Sequence, residues 1–248
     1  MTNLQEATAN PHMRDVRLSL LQAARQTTTQ IKADHSTLSK FRDAYVDSSG
    51  NGMLKNAVDE INSLATKVAE LNDSIAGYEL NVAESQPALL LRDQRDELVS
   101  RLAELTGATA TEQSDGTYLV KIGSENLVST NVARSLALDT SGSSPVVEWS
   151  DTSAAATTDT GEVGAYIASY NYLTSRMTDL DTYAAALIST FNTAQAAGFD
   201  LDGNAGTALF SGTNASTIGV AISDNRLLAL SDTAGETANG KNASAMLG

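Results

Sequence analysis

The sequence contains no cysteine among its 248 residues, only three prolines and a single tryptophan. The lack of cysteine excludes disulfide bonds, thiolate metal sites and cysteine nucleophiles together. It also agrees with export of an unfolded chain through a narrow channel, where a crosslink would stop threading. Aromatic residues make up only 5% of the chain. Glycine, serine, threonine, alanine and asparagine are abundant instead, a composition typical of secreted surface structures.

Basic residues are scarce: the chain has 16 Lys and Arg but 30 Asp and Glu, and its formal net charge is −14. A negative field of this size repels phosphate backbones and anionic lipid headgroups, so we expect neither a nucleic-acid nor a membrane partner. No apolar run is long enough to span a membrane. Residues 1–6 lack a positive segment followed by an apolar core, so no signal peptide is predicted. Export would therefore use a route without one, unless the natural ends have been trimmed.

Motifs for catalysis and for metal or cofactor binding are missing. The sequence has no nucleophile elbow, phosphate-binding loop or dinucleotide fingerprint. His12 and His35 stand in the first helical region without a His-x-x-x-His partner. Asp93 and Asp96 lie on a charged helix face that is more typical of a salt-bridged surface. We therefore expect no enzyme activity, no catalytic residue, no cofactor and no metal site.

The loop at residues 200–204 is the one segment that resembles a calcium-binding loop. An EF-hand beginning at Asp200 requires a glycine at position 205 and a bidentate glutamate at position 211. The sequence has Ala205 and Ser211 there. Because Asp and Asn before Gly are ordinary turn formers, a turn is the preferred interpretation.

Helical spacing of apolar residues predicts helices over residues 10–45, 53–83, 88–106 and 162–197. Asn10 is the expected cap and Pro11 the first turn of the first helix, whereas Gly107 is the expected stop of the third. The second carries the strongest pattern, a heptad stripe of Val58, Ile61, Ala65, Val68, Asn72 and Ile75, widened by Leu64, Leu71 and Tyr78. This pattern predicts an antiparallel hairpin or short coiled coil, in which Asn72 fixes the register.

The third and fourth predicted helices each have an apolar side, formed by different kinds of residue. Leu91, Leu98, Leu102 and Leu105 form one side of the third helix. Its opposite side is charged and comprises Arg92, Asp93, Arg95, Asp96, Glu97, Arg101 and Glu104. The last helix carries a long stripe that we assign to core packing: Tyr166, Tyr170, Leu173, Met177, Leu180, Tyr183, Leu187 and Phe191.

Between the third and fourth helices the composition changes to short β-prone runs at residues 117–123, 125–128, 135–138 and 146–149, separated by Ser/Thr/Gly/Asp loops. Weak strands are predicted at 218–222, and residues 232–244 are expected to be loop. The predicted fold is thus α+β and mostly α, a long antiparallel helical bundle or coiled-coil hairpin with a small β-rich module. We expect a discontinuous bundle domain of residues 1–107 and 161–197, and an outer module of residues 108–160 and 198–248.

Several segments together resemble one family. The heptad helix reads VDEINSL at residues 58–64 and VAELNDSI at 68–75, and it leads into LLLRDQRDELV at 89–99. The last segment is similar to the "LLDQRDxLV" signature of the flagellar hook-associated proteins of the hook–filament junction, the FlgK family, with Arg92 as an addition. Residues 161–164, GEVG, resemble that family's "GGELG". Residues 191–210, FNTAQAAGFDLDGNAGTALF, resemble its "FNxxHxxGxDLxGxxGxxFF", with Gln195 where a histidine is common.

The resemblance implies a structural protein of the bacterial flagellum that joins hook to filament and is required for filament assembly. It implies an extracellular location reached by flagellar type III export, and self-assembly of the full-length protein into a ring. Implied partners are the hook protein, the second junction protein and an export chaperone bound through a terminus missing here. This chain would be the outer part, soluble and largely monomeric. Alternatives are another axial protein, flagellin- or hook-like, or a coiled-coil module of an adhesin or phage tail. A metal-dependent enzyme using acidic residues lacks any supporting motif.

Overall fold

The computed structural model describes residues 2–81 and 88–247. The helices in this part of the chain are α1 (Thr2–Ala9), α2 (Arg14–Tyr45), α3 (Met53–Asn81), α4 (Leu89–Thr106), α5 (Gly161–Ala196) and α6 (Lys241–Ala245), with a short 3₁₀ helix at Asn225–Leu227. The strands are β1 (Thr109–Glu112), β2 (Tyr118–Ile122), β3 (Glu125–Ser129), β4 (Val132–Ala133), β5 (Leu136–Asp139), β6 (Val146–Trp149), β7 (Phe210–Ser211) and β8 (Gly219–Val220). The predicted mostly helical α+β class is confirmed.

The chain forms two compact units. The terminal unit comprises Met1–Lys40 and Ser175–Gly248, and the central unit comprises Phe41–Thr174. This grouping differs from the expected division into a bundle domain and an outer β-rich module. The reason is that α2 and α5 each contribute one part to each unit, and each unit combines helices with strands of its own.

The central unit is built on the α3–α4 hairpin. The heptad positions of α3 are buried from Val58 to Ile75. Those from Val58 to Val68 share one core with Leu102 and Leu105 of α4. An antiparallel sheet of order β1-β2-β3-β4 and the β5-β6 ribbon complete the unit, and α3 contacts β3, β4 and β5. The stripe of α3 therefore faces a sheet as well as a helix. Tyr78, expected to widen that stripe, is exposed.

In the terminal unit, several helices begin or end at other residues than the sequence predicts. Residues 2–9 form α1, which was not expected, and α2 begins only at Arg14. Asn10 and Pro11 lie in the turn between the two helices, where the Met13 N–H donates to the Asn10 carbonyl at 3.2 Å. The tail expected to be loop contains the short helix α6, which packs against α1.

The terminal unit has its own core. It combines apolar side chains of α1, α2, α5 and the segment after residue 208, namely Ala7, Val16, Leu21, Ile31, Ala184, Ile188, Leu209, Phe210, Ala215, Ile218, Ile222, Leu228, Leu230 and Ala243. The stripe predicted for the last helix is half-buried or buried along its length except at Tyr183, which is exposed. The assignment of Tyr183 to the core was therefore wrong.

Local signals located most of the remaining elements. Helix α4 ends as expected, with Gly107 in the left-handed region (φ 71°) and its N–H donating to the Ala103 carbonyl at 2.7 Å. Strands β2, β3, β5 and β6 match predicted runs. Strand β1 was not predicted because its sequence, TATE, has no apolar alternation and all four residues are exposed. Within residues 2–81 and 88–247, no helix is both long and apolar enough to span a bilayer.

Candidate functional site

Three helix asparagines each pair with both backbone polar groups of a single strand residue. In each pair the asparagine Nδ2 donates to the carbonyl and the asparagine Oδ1 accepts from the N–H of the same residue. The three asparagine clamps, as we name them, are Asn62 with Leu136 (2.8 and 2.7 Å), Asn72 with Tyr118 (2.9 and 2.9 Å) and Asn192 with Phe210 (2.9 and 2.8 Å). A side-chain amide thus takes the place of a neighbouring strand. Because a one-residue slip would break both bonds, each clamp fixes the register between helix and strand.

The Asn72 clamp is the most extensive. The side chain is fully buried, and its Nδ2 also donates to the Thr130 carbonyl at 2.6 Å. Its Oδ1 also accepts from Nη1 of Arg95 at 3.0 Å. Both donors and both acceptor positions of the amide are therefore used. Asn72 was predicted to fix a register within a coiled coil. Its partners are instead the backbone of the sheet and one arginine of α4.

Arg95 was expected on the charged face of the third helix, and this was wrong, because its side chain is fully buried. Its Nη1 donates to the Gly116 carbonyl at 2.8 Å in addition to Asn72, and its guanidinium carbon lies 3.6 Å from the Tyr118 ring centroid. Its Nε and Nη2 find no hydrogen-bond partner among the described residues. A signal was present in the sequence, since position 95 is four residues after Leu91 and three before Leu98, on the apolar side of the helix.

The other arginines of α4 form ion pairs, as expected for a salt-bridged surface. Arg101 contacts Glu60 of α3 at 2.8 Å and Glu162 of α5 at 2.6 Å. The hydrogen bonds that Arg101 donates to Glu60 first, and then to Glu162, raise the pKa of Arg101, and the bond to Glu162 lowers the pKa of that carboxyl. These pairs tie the outer surfaces of three helices of the central unit together.

Arg92 makes a similar connection at the other end of α4. Its Nη2 lies 2.9 Å from Oε2 of Glu79 on α3, and its Nη1 contacts Glu112 of β1. The hydrogen bond from Arg92 lowers the pKa of Glu79. Arg92, noted as an addition to the family signature, therefore links the helical hairpin to the edge strand of the sheet.

In the terminal unit, Arg17 connects helix α2 to backbone carbonyls of a turn and of a segment distant in sequence. It is buried, and its Nε donates to the Asn225 carbonyl at 2.9 Å and its Nη1 to the Pro11 carbonyl at 2.6 Å. Its Nη2 donates to the carbonyls of Arg226 (3.0 Å) and Leu228. Desolvation lowers the pKa of Arg17 to about 10. Nothing in the local sequence indicates this role, because the carbonyls that Arg17 binds lie more than 200 residues away or in a turn.

The residues weighed as metal ligands have other roles. Oδ1 of Asp200 accepts the N–H groups of Asp202 and Asn204, each at 2.9 Å, and so closes a turn. His35 Nε2 lies 3.8 Å from Oδ1 of Asp181, and His12 is exposed in the α1–α2 turn. In the part of the chain that the structure describes, no three His, Asp or Glu side chains cluster so that they could hold a metal ion. The clamps and the buried arginines can hold helices in position and stiffen each unit, but they provide no group that could react with a substrate.

Comparisons with known proteins agree on one family. The family model described as the flagellar hook-associated protein FlgK helical domain matches residues 1–210. The chain is 32% identical over 226 residues to flagellar hook-associated protein 1 of Escherichia coli K12, with 84% of this chain covered. It is also 32% identical over 227 residues to the protein of that name from Salmonella typhimurium LT2, with 85% covered. In both cases the chain spans 39% of the relative's length. The flagellar hook junction protein FlgK from Burkholderia pseudomallei has a similar structure, with a TM-score of 0.69, 27% identity, and coverage of 85% of this chain and 39% of that one.

Proposed function

This chain belongs to the FlgK family of flagellar hook-associated proteins, and from that premise we propose that it is a structural part of the junction between flagellar hook and filament, required for filament assembly. The observation that carries the proposal is the match of the helical-domain family over residues 1–210. Because the chain spans 39% of its relatives' length, the role of the whole protein enters here as a proposal.

The internal construction supports a mechanical role. The asparagine clamps fix helices to strands, and the buried arginines fix helices to backbone carbonyls of turns and of the 3₁₀ segment. Such directional bonds resist sliding better than apolar packing alone. Each clamp places an amide between two backbone groups, and the amide is fully buried at Asn72 and half-buried at Asn62 and Asn192. Fully satisfied polar networks of this kind make a core rigid. A rigid unit that keeps its shape under axial load suits an adaptor between a flexible hook and a stiff filament. We propose no enzymatic activity, cofactor or metal for this chain.

The proposed partners follow from the same role. The full-length protein would form a ring by self-assembly and contact the hook protein on one side and the second junction protein on the other. It would be extracellular and reach its position by flagellar type III export, with a chaperone bound to a terminal region of the full-length protein. The absence of cysteine supports this route, because no disulfide can form before threading.

Complementation tests the proposal. A strain that lacks its hook-associated protein is supplied with the full-length gene, either intact or with the segment encoding these 248 residues deleted. The intact gene is expected to restore filaments and swimming, and the deleted one is expected to restore neither. Export is followed by the amount of protein in the medium. Intact protein that is exported while hooks remain without filaments would contradict the proposal.

A further inference from the structure

The central unit carries an open apolar groove between the end of α2, the start of α3 and the first half of α5. The groove has a volume of about 560 Å³, and its lining includes Phe41, Met53, Ala168, Tyr172 and Leu173. Phe41 is 61% exposed, Met53 48% and Tyr172 63%. Large apolar side chains at such exposure, gathered in one concave place, are typical of an interaction surface.

None of the described residues that line the groove is charged. On α5, residues 163–175 contain no charged residue, although 19% of the whole chain is charged. The centres of protein interfaces are depleted of charge and enriched in Tyr, Phe and Met. The composition of this surface therefore fits a protein partner better than open solvent.

The same unit carries an exposed apolar pair of residues at the start of α4. Leu89 is 64% exposed and Leu90 70%, the highest fractions among the large hydrophobic side chains that the structure describes. Exposed carboxylates follow on the same helix at Asp93, Asp96 and Glu97. The leucine pair, Leu89 and Leu90, is thus an apolar tip beside an acidic helix surface.

We propose that the leucine pair of one copy of this chain docks into the apolar groove of a neighbouring copy. The proposal rests on the structural role proposed above and names the surfaces through which copies meet. The groove and the leucine pair are different patches of one unit, so each copy offers both halves of the contact. A contact between two different patches is head-to-tail, and repeated contacts of this kind close into a ring or continue as a helical array.

The charges beside the two patches are compatible with this contact. Arg42 and Lys55 follow Phe41 and Met53 closely in sequence, and the leucine pair precedes an acidic stretch. Arg42 and Lys55 already contact Asp43 and Asp59 of their own chain. Because partly exposed ion pairs contribute little, the carboxylates of a neighbour can join them at small cost. Two leucines and a shallow groove make a small interface, so a single contact between free copies is weak and is strengthened when many copies assemble.

Disulfide trapping tests the contact, and the chain is suited to it because it has no cysteine of its own. Leu90→Cys and Tyr172→Cys variants carrying tags of different size are mixed and oxidised with glutathione disulfide. We expect the mixed dimer in several-fold excess over either homodimer. The matched control replaces Leu90→Cys by Ser100→Cys, at an exposed position of the same helix. Equal yields of mixed dimer with both partners would overturn the proposal.

A test in cells separates this inference from the proposed function. Full-length protein carrying Leu89→Glu and Leu90→Glu is compared with wild type and with Ser100→Glu in the complementation strain. We expect wild type and Ser100→Glu to restore filaments and the double variant to be exported but to restore several-fold fewer. If wild type complements and the double variant does so equally, the docking proposal is wrong while the function stands. If wild type itself is exported without filaments, the proposed function fails. A thermal melt of the double variant, expected to match wild type, shows that the fold is unchanged.

Discussion

The Asn72 clamp allows a quantitative prediction about the central unit. Replacing Asn72 by leucine keeps a side chain of similar size and removes all four hydrogen bonds of the amide. The N–H and carbonyl of Tyr118 and the carbonyl of Thr130 then lose this partner in a buried place, and Arg95 retains only its bond to Gly116. Each buried group left without a partner costs about 1–3 kcal/mol, and the carbonyls are partly relieved by relaxation. We expect Asn72→Leu to lower the free energy of unfolding by about 4 kcal/mol.

The assay is denaturant unfolding followed by tryptophan fluorescence. Trp149 is the single tryptophan, it is buried, and it lies in the central unit with Asn72, so its signal reports unfolding of that unit. The control is Asn56→Ala, which changes an exposed asparagine of the same helix. We expect the Asn56 variant to stay within about 0.5 kcal/mol of wild type. A loss below about 1 kcal/mol for Asn72→Leu would refute the reasoning, because one satisfied hydrogen bond is worth that much.

A double-mutant cycle isolates the coupling between Asn72 and Arg95. Removing only Asn72 leaves a buried guanidinium with fewer partners, whereas Arg95→Met removes the buried charge as well. The combined variant is therefore expected to lose less stability than the sum of the two single variants. Additive losses would mean that the 3.0 Å contact between the two side chains carries no energy of its own.

Three further predictions follow from other contacts. Asn192→Ala should cost about 2 kcal/mol in the terminal unit through its two lost bonds, seen as faster amide exchange of Phe210; unchanged exchange would contradict it. Gly107→Ala should lower the free energy of unfolding by at least about 1 kcal/mol, because alanine disfavours the positive φ and because the added Cβ would lie 2.1 Å from Thr160 Oγ1. A melting temperature equal to that of wild type would exclude this strain. The pKa values of Glu79 and Asp151 are lowered, above all by hydrogen bonds from Arg92 and Arg134. The stability that these two ion pairs contribute is therefore present above the ordinary carboxyl pKa and is lost as the pH falls through the lowered pKa values. At pH values below about 4.5 the melting temperature should therefore decrease. A melting temperature that does not change with pH in this range would refute the prediction.

The sequence by itself determined most elements and the family. Helical spacing located α3, α4 and α5 to within a few residues, because apolar positions that repeat every three or four residues define a buried face whatever covers it. Gly107 marked the end of α4, since a left-handed residue strongly favours glycine. The order of short motifs from residue 58 to residue 210 was sufficient to recognise the family. These signals are all local in the chain.

The tertiary structure decided which surface covers each face and where polar groups find partners. Asn72 was recognised as a polar residue in an apolar stripe, but its partners at Tyr118 and Thr130 lie 46 and 58 residues further along. Arg95 has the residue type of a surface position, and only its contacts with Asn72 of α3, Tyr118 of β2 and the Gly116 carbonyl offset part of the cost of burying it. The grouping of α2 and α5 into both units likewise depends on contacts distant in sequence. Periodicity specifies that a face is buried, and the partner that buries it is chosen by long-range packing and by backbone groups that carry no sequence signal.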